Sequence, residues 1–431
     1  MIIAKRLKGK AIATWLGPTG DAVRGAAHKL RTRISGDAER RLDFYFDVAD
    51  PWSYLAAQVV ERLVETYGVP LAFHPITPPA SDVAPQPLLR AKQAVRDAQQ
   101  LADYYDLAFT GKREADSGSV RDAGTVLVRD RPPREQLRAA LELGRALWAN
   151  DKKQMALLLG SWGHESHGTV APVLNANYAK LRKAGHYEPG AVHYAGDWYA
   201  GVDRIRYLEE VLAADTGKSI AGVLRERTDR APEKLSEKPL TCELWISFAS
   251  PYAYLGIEQI EGLLAPYDIP LVLRPIRTTS PTTPPTVKRM YLALDAKREA
   301  DRLGIPFGEL CELSERGKDH CLAIAHWAAK RSQRDVLAFA RSAMRGIWAE
   351  ARDLGEYVDL RTVVERAGLP WDEARAALDA TDWVKATTAH ATDLAVYGLW
   401  GVPSVKVGDF VAWGQDRFPL LADRLRRHAA C

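Results

Sequence analysis

No two cysteines in this chain are spaced C-x-x-C, and its 431 residues contain four in all: Cys242, Cys311, Cys321 and Cys431. Such scarcity excludes a disulfide-stapled scaffold and fits a reduced protein, so the expected compartment is the cytoplasm. Long apolar runs are missing too. Nothing approaches the roughly 20 apolar residues of a membrane span. Lys5, Arg6, Lys8 and Lys10 break the start, where a secretory signal needs an apolar stretch. A large net charge is absent: +4 argues against a dedicated nucleic-acid binder. There is no P-loop and no dinucleotide fingerprint. Gly163-His164-Glu165-Ser166-His167-Gly168 does not have H-E-x-x-H spacing and reads as a polar loop. His320 and Cys321, on an expected helix with His326, are adjacent and cannot share a face, so no metal is assigned.

The length suits two domains of roughly 200 residues each. Residues 1–41 hold ten Lys/Arg against three acidic groups and read as a basic N-terminal extension. The rest repeats itself. Leu42-Asp43-Phe44-Tyr45-Phe46 leads to Pro51, Tyr54 and Leu55. Leu244-Trp245-Ile246 leads to Pro251, Tyr254 and Leu255, 200 residues later. The register persists through Val69-Pro70-Leu71 and Ile269-Pro270-Leu271, and through Arg145, Trp148 and Arg345, Trp348. Chance does not hold one register over a hundred residues, so the chain is a tandem duplication.

Both copies give the same order of elements. Alternating apolar segments (Leu42–Val48; Leu244–Phe248) read as strands. Asp50 or Ser250 then precedes a proline, a favoured cap before a favoured first helical residue. Helices are expected over Tyr54–Tyr67 and Tyr254–Leu264, and second strands over Leu71–His74 and Leu271–Arg274. Inserted helices follow, among them Arg90–Tyr105 and its counterpart Lys288–Leu303. Two short strands and a helix close each copy: Ala191–Tyr194, Trp198–Tyr199 and Arg204–Leu212; Ser404–Val407, Phe410–Ala412 and Arg417–Arg427. The expected fold class is α/β, two tandem thioredoxin-like domains each with a helical insertion. The domains are placed at 42–214 and 239–431, with a charged linker over 215–238 containing a short helix near Ile220–Arg227.

Three motifs of the second copy carry a family resemblance. They are Ser250-Pro251-Tyr252-Ala253-Tyr254-Leu255, Lys288-Arg289-Met290-Tyr291 running on to Leu303-Gly304-Ile305-Pro306-Phe307, and Gly401-Val402-Pro403-Ser404 with Trp413-Gly414-Gln415-Asp416-Arg417. In this order they resemble the DsbA-like superfamily, in the branch of 2-hydroxychromene-2-carboxylate isomerases and kappa-class glutathione transferases. The resemblance implies glutathione as cofactor and Ser250 as the catalytic serine on its sulfur. It implies Pro403 as a cis-proline, with Val402 offering main-chain hydrogen bonds. Gln415 and Asp416 would hold the γ-glutamyl end, and Lys288 a carboxylate. It further implies a small aromatic or unsaturated carbonyl substrate, and pairing of two copies, within the chain or as a homo-oligomer.

The residues also allow blander roles. Ser250 is a good helix cap, Lys288 a good solvated helix lysine, Pro403 a structural residue of the fold, and Trp413 good core. At the C-x-x-C positions stand Ser250…Ala253 and Asp50…Ser53, which excludes a dithiol cycle there. His390 and Asp393 replace an asparagine that relatives often carry near Thr392. The first copy offers a second candidate site of Asp50, Ser53, Pro189 and Asp203. Its carboxylate would repel a thiolate, and Tyr187-Glu188-Pro189-Gly190 has lost the Gly-Val-Pro pattern, so it reads as degenerate. The competing functions are a glutathione-dependent isomerase or transferase, a non-catalytic thioredoxin-fold partner-binding protein, and an oxidoreductase with a non-standard site using Cys311 or Cys321.

Overall fold

Leu42, Phe44 and Phe46 are fully buried on one face of β1 (Leu42–Phe46) and Tyr45 is buried on the other, as a central strand covered on both faces requires. The computed structural model describes residues 40–236, 239–277 and 284–431; all but the last two residues of the basic extension lie outside them. The described residues form two compact units. One is residues 40–229 joined by Pro284–Tyr291; the other runs from Arg230 onward without that segment.

In the first unit, α1 (Pro51–Tyr67) follows β1. Asp50 caps it through the Ser53 N–H at 2.8 Å, and Gly68 ends it in the left-handed region. Leu55, Val59, Val60 and Leu63 lie at helical spacing and are fully buried, each worth roughly 1.5–3 kcal/mol. β2 (Leu71–Pro75) runs parallel to β1. The inserted helices are α2 (Pro87–Tyr105), α3 (Ser117–Leu127), α4 (Pro133–Trp148), α5 (Lys152–Trp162) and α6 (His167–Ala184). β3 (Ala191–Tyr194), β4 (Asp197–Ala200) and α7 (Ile205–Thr216) complete a sheet of order β2-β1-β3-β4.

The second unit repeats this plan with β5 (Cys242–Ile246), α8 (Pro251–Leu264) and β6 (Leu271–Pro275). Its insertion comprises α9 (Thr286–Leu303) from Leu292 onward, α10 (Glu315–Arg331), α11 (Gln333–Ala349), α12 (Tyr357–Arg366), α13 (Trp371–Ala376) and α14 (Asp382–Val396). β7 (Ser404–Val407), β8 (Phe410–Trp413) and α15 (Phe418–Ala429) close a sheet of order β6-β5-β7-β8.

Strand register bears out the duplication. Leu42 pairs with Leu71 and Cys242 with Leu271, an offset of 200 in both partners. Early in the insertion, as at Phe109 and Phe307, the offset is 198, and by Trp148 and Trp348 it has returned to 200. Tyr54, Phe109 and Trp148 cluster in the first unit as Tyr254, Phe307 and Trp348 do in the second. At the closing strands it is 213: Tyr45 faces Ala191, and Trp245 faces Ser404.

This last offset corrects one match made from sequence. Gly190, not Pro189, stands where Pro403 stands, because Gly201 N–H donates to Gly190 O as Gly414 N–H donates to Pro403 O. Gly190 has φ of 67°, and a Cβ there would lie 3.2 Å from the Ser53 backbone. A side chain at this point would strike the start of α1.

The expected linker is also different. The chain over 217–229 packs on the first unit: Ala221 and Val223 N–H donate to Glu209, and Arg62 to Val223 O. No helix forms near Ile220–Arg227, since those N–H groups are spent on Glu209 and Gly222 takes φ of 67°. From Arg230 the contacts change to Asp423, and those of Arg427 reach Ala231 O.

Candidate functional site

Pro251 starts α8, and Ser250 is its cap. Ser250 Oγ accepts from Ala253 N–H at 3.2 Å and donates to Val402 O at 3.3 Å. The Val402–Pro403 peptide is cis, as expected, and adjoins β7. Hydroxyl, helix N-terminus and the main chain before the proline therefore meet at one point. That environment favours an anion, because the positive end of the helix dipole points toward it.

Asp416 lies in the short turn before α15 with its side chain 21% exposed and Arg417 Nη1 3.4 Å away. Gln415 is placed otherwise than expected. It is buried, its amide donates to Glu299 Oε2 at 2.9 Å, and its oxygen accepts from Gln259 at 3.2 Å. Lys288 belongs to the first unit: Nζ donates to Val83 O at 2.7 Å and lies 5.5 Å over the Tyr187 ring. Ser250, Val402, Pro403 and Asp416 thus stay together in one unit, whereas Lys288 and Gln415 are committed to other partners. His390 is likewise occupied, with Nδ1 2.9 Å from Pro275 O.

The corresponding turn of the first unit is built from charges. Asp50 replaces Ser250, Asp47 replaces Ser247 and Ser53 replaces Ala253. Asp50 Oδ2 accepts from both Ser53 N–H and Ser53 Oγ at 2.8 Å. Ser53 Oγ in turn accepts from Asp47 N–H at 3.3 Å. Arg90 of α2 reaches across, with Nη1 3.3 Å from Asp50 and Nη2 2.7 Å from Glu188, while stacking 4.9 Å from the Trp52 ring. Glu188 immediately precedes Pro189, so the first unit's own side chains fill the turn. Asp203 is buried, 3.4 Å from Tyr105 Oη.

Asp47 is buried beside Asp50, and burial, then the Asp50 charge, push its carboxyl up to about 7, against the Ala49 N–H and Arg90. Its folded pKa exceeds its ordinary 3.8, so the folded state holds the proton more tightly. That stabilisation is complete below the ordinary pKa and is lost as pH rises through 7. Asp47→Asn is therefore expected to stabilise the first unit at pH 8, by up to about 4 kcal/mol at about 1.4 kcal/mol per unit. At pH 4 the gain disappears. Denaturant unfolding of both proteins across this range measures it.

One feature shared by both turns escaped sequence reading. Trp52 Nε1 donates to Asp97 at 2.7 Å, and Tyr252 Oη donates to Asp295 at 2.6 Å. Each fastens the start of the site helix to the inserted helix. The signal was present: an acid lies seven residues after Arg90 and after Lys288. The cysteines are elsewhere. Cys311 and Cys321 are buried, and burial pushes the Cys321 thiol far up, which opposes the redox reading. Among the described residues no group of His, Cys, Asp and Glu is arranged to hold a metal, and no helix is long and apolar enough to cross a membrane.

The chain belongs to the family of the DSBA-like thioredoxin domain, whose model matches it twice, over residues 41–155 and 241–426. Over 206 residues it is 28% identical to glutathione S-transferase kappa 1 of Homo sapiens, covering 43% of this chain and 91% of that protein. The Rattus norvegicus counterpart is 25% identical, covering 43% and 90%. A solved 2-hydroxychromene-2-carboxylate isomerase is 20% identical, with a TM-score of 0.39, over 44% of this chain and 98% of that one.

Proposed function

We propose that the second unit binds glutathione and presents its sulfur, as thiolate, to a small aromatic or unsaturated carbonyl compound. The observation that carries this reading is the convergence of Ser250 Oγ, the α8 N-terminus and the Val402 main chain. A free thiol titrates near 8.5. A hydroxyl donor and a helix N-terminus lower that value, and the thiolate is the nucleophile. The Ser250 hydroxyl turns from the Val402 carbonyl toward the sulfur when the ligand enters.

In the reaction the thiolate forms a C–S bond at the β-carbon, and the π electrons of the C=C bond move onto the carbonyl oxygen as an enolate. Rotation about the former double bond follows. The enolate then re-forms C=C and expels the thiolate, so glutathione is regenerated and the net change is isomerisation. Protonation of the enolate carbon would stop the sequence at the conjugate, which is transferase chemistry. The similarity to kappa-class transferases supports a glutathione site without deciding between these ends.

Asp416 supplies the acid for the γ-glutamyl ammonium. Asp416→Asn is expected to weaken glutathione binding about tenfold or more, the loss of one charge-assisted hydrogen bond. Calorimetric titration of both proteins reads it, and an unchanged affinity overturns this placement. The ion-paired turn of the first unit supports a scaffold role there.

A further inference from the structure

The repeat supplies an internal comparison at the loop that carries Pro403. In the β-ladder Trp413 faces Ser404, as Ala200 faces Ala191 in the first copy. Ala200 therefore corresponds to Trp413, Glu188 to Gly401 and Tyr187 to Trp400. A Cβ on Gly401 would lie 2.2 Å from Trp413 Cε2 and 2.5 Å from its Nε1. The pyrrole edge of Trp413 thus fills the space that a side chain at residue 401 would need. In the first copy Ala200 leaves that space open, and Glu188 uses it.

The path of the Glu188 side chain shows what the space adjoins. Its carboxylate lies 2.7 Å from Arg90 Nη2, and Arg90 Nη1 lies 3.3 Å from Asp50, the residue at the Ser250 position. A group leaving the loop at this point heads for the start of the site helix. In the second copy Trp413 stands there, beside the Val402 main chain to which Ser250 donates. Trp400 backs it, with ring centroids 4.9 Å apart, and both indoles are partly exposed. Trp413 also packs with Val402 on the cluster around Trp245, and Ser404 Oγ donates to Gly401 O at 2.8 Å, so loop and ring hold one another in place. Among the described residues neither of these two indole N–H groups has an acceptor, whereas those of Trp245 and Trp348 donate to His390 O and Phe248 O.

We propose that Trp413 and Trp400 form the wall on which the aromatic ring of the second substrate lies beside the glutathione sulfur, so that this unit selects aromatic electrophiles over aliphatic ones. This deepens the glutathione reading above and rests on it. The first copy has Ala200 and a buried Tyr187 at these positions instead.

Calorimetric titration of the full chain with glutathione, S-methylglutathione and S-benzylglutathione tests this, because the benzyl ring stands where the ring of an aromatic substrate would. S-benzylglutathione is expected to bind about tenfold or more tighter than S-methylglutathione, the scale of one aromatic contact with its buried area. Trp413→Leu should narrow that gap to within about threefold, and Trp413→Phe, which keeps a ring, should retain most of it. Trp400→Leu leaves the Gly401 contact in place and should narrow the gap as well, which keeps the test open if Trp413→Leu does not fold. Failure of S-benzylglutathione to bind tighter than S-methylglutathione, or a gap that survives both leucine substitutions, overturns the inference while the glutathione site stands. If neither glutathione nor the thioethers bind, the glutathione site itself falls and the inference with it.

Discussion

Arg90→Met is expected to destabilise the first unit by about 3–5 kcal/mol, the loss that follows when one partner of a buried ion pair is removed. Arg90 faces Asp50 at 3.3 Å and Glu188 at 2.7 Å, and it also opposes the charge of Asp47. Asp50 is 2% exposed and cannot regain water by a simple rotamer change. For a unit of this size the corresponding fall in melting temperature is about 10 °C. Calorimetric scans of the full chain measure it. Asp50→Ser with Glu188→Val, in the Arg90→Met background, should restore most of the loss, because it removes the stranded charges. A loss below about 1 kcal/mol would mean that the cluster is solvated, like an ordinary surface ion pair.

The second large effect concerns chemistry. Ser250→Ala is expected to lower glutathione-dependent turnover about 10²–10³-fold, the scale of removing one preorganised donor from a developing or resident anion. The structural part of that change is small, since losing a serine cap costs about 1 kcal/mol. The two parts separate by spectroscopy. Thiolate absorbance of bound glutathione should titrate below the free thiol value in the parent protein and shift upward in Ser250→Ala. Ser250→Thr, which keeps a hydroxyl and a cap, should recover most of the shift. Equal thiolate titration in parent and alanine variant would leave Ser250 as a cap alone.

The fold was largely legible because its signals are local. A cap followed by proline set the start of α1 and α8, and alternation set β1 and β5. The repeat was legible because both copies answer the same burial pattern, down to Leu42–Leu71 and Cys242–Leu271. What sequence could not show was the use of charges. Arg90 and Glu188 stand 98 residues apart and look like solvated helix and loop residues, yet Arg90 is the hub of a buried cluster. The family resemblance made Lys288 a candidate ligand cation, but Val83 O and Tyr187 hold it in the first unit. Pro189 attracted alignment with Pro403 because prolines stand out. The β-ladder, which counts backbone hydrogen bonds, puts Gly190 there instead. At Ser250 the reverse holds: cap and candidate catalytic group are the same atom, so sequence and structure agree on its position.

The stoichiometry of glutathione binding tests the asymmetry of the two turns most directly. Titration of the full chain should give one glutathione per chain, with the single site lost or weakened in Asp416→Asn and untouched by Glu188→Gln. Two equivalent glutathiones per chain would contradict a first turn filled by its own ion pairs, and none would contradict the glutathione site proposed in the second.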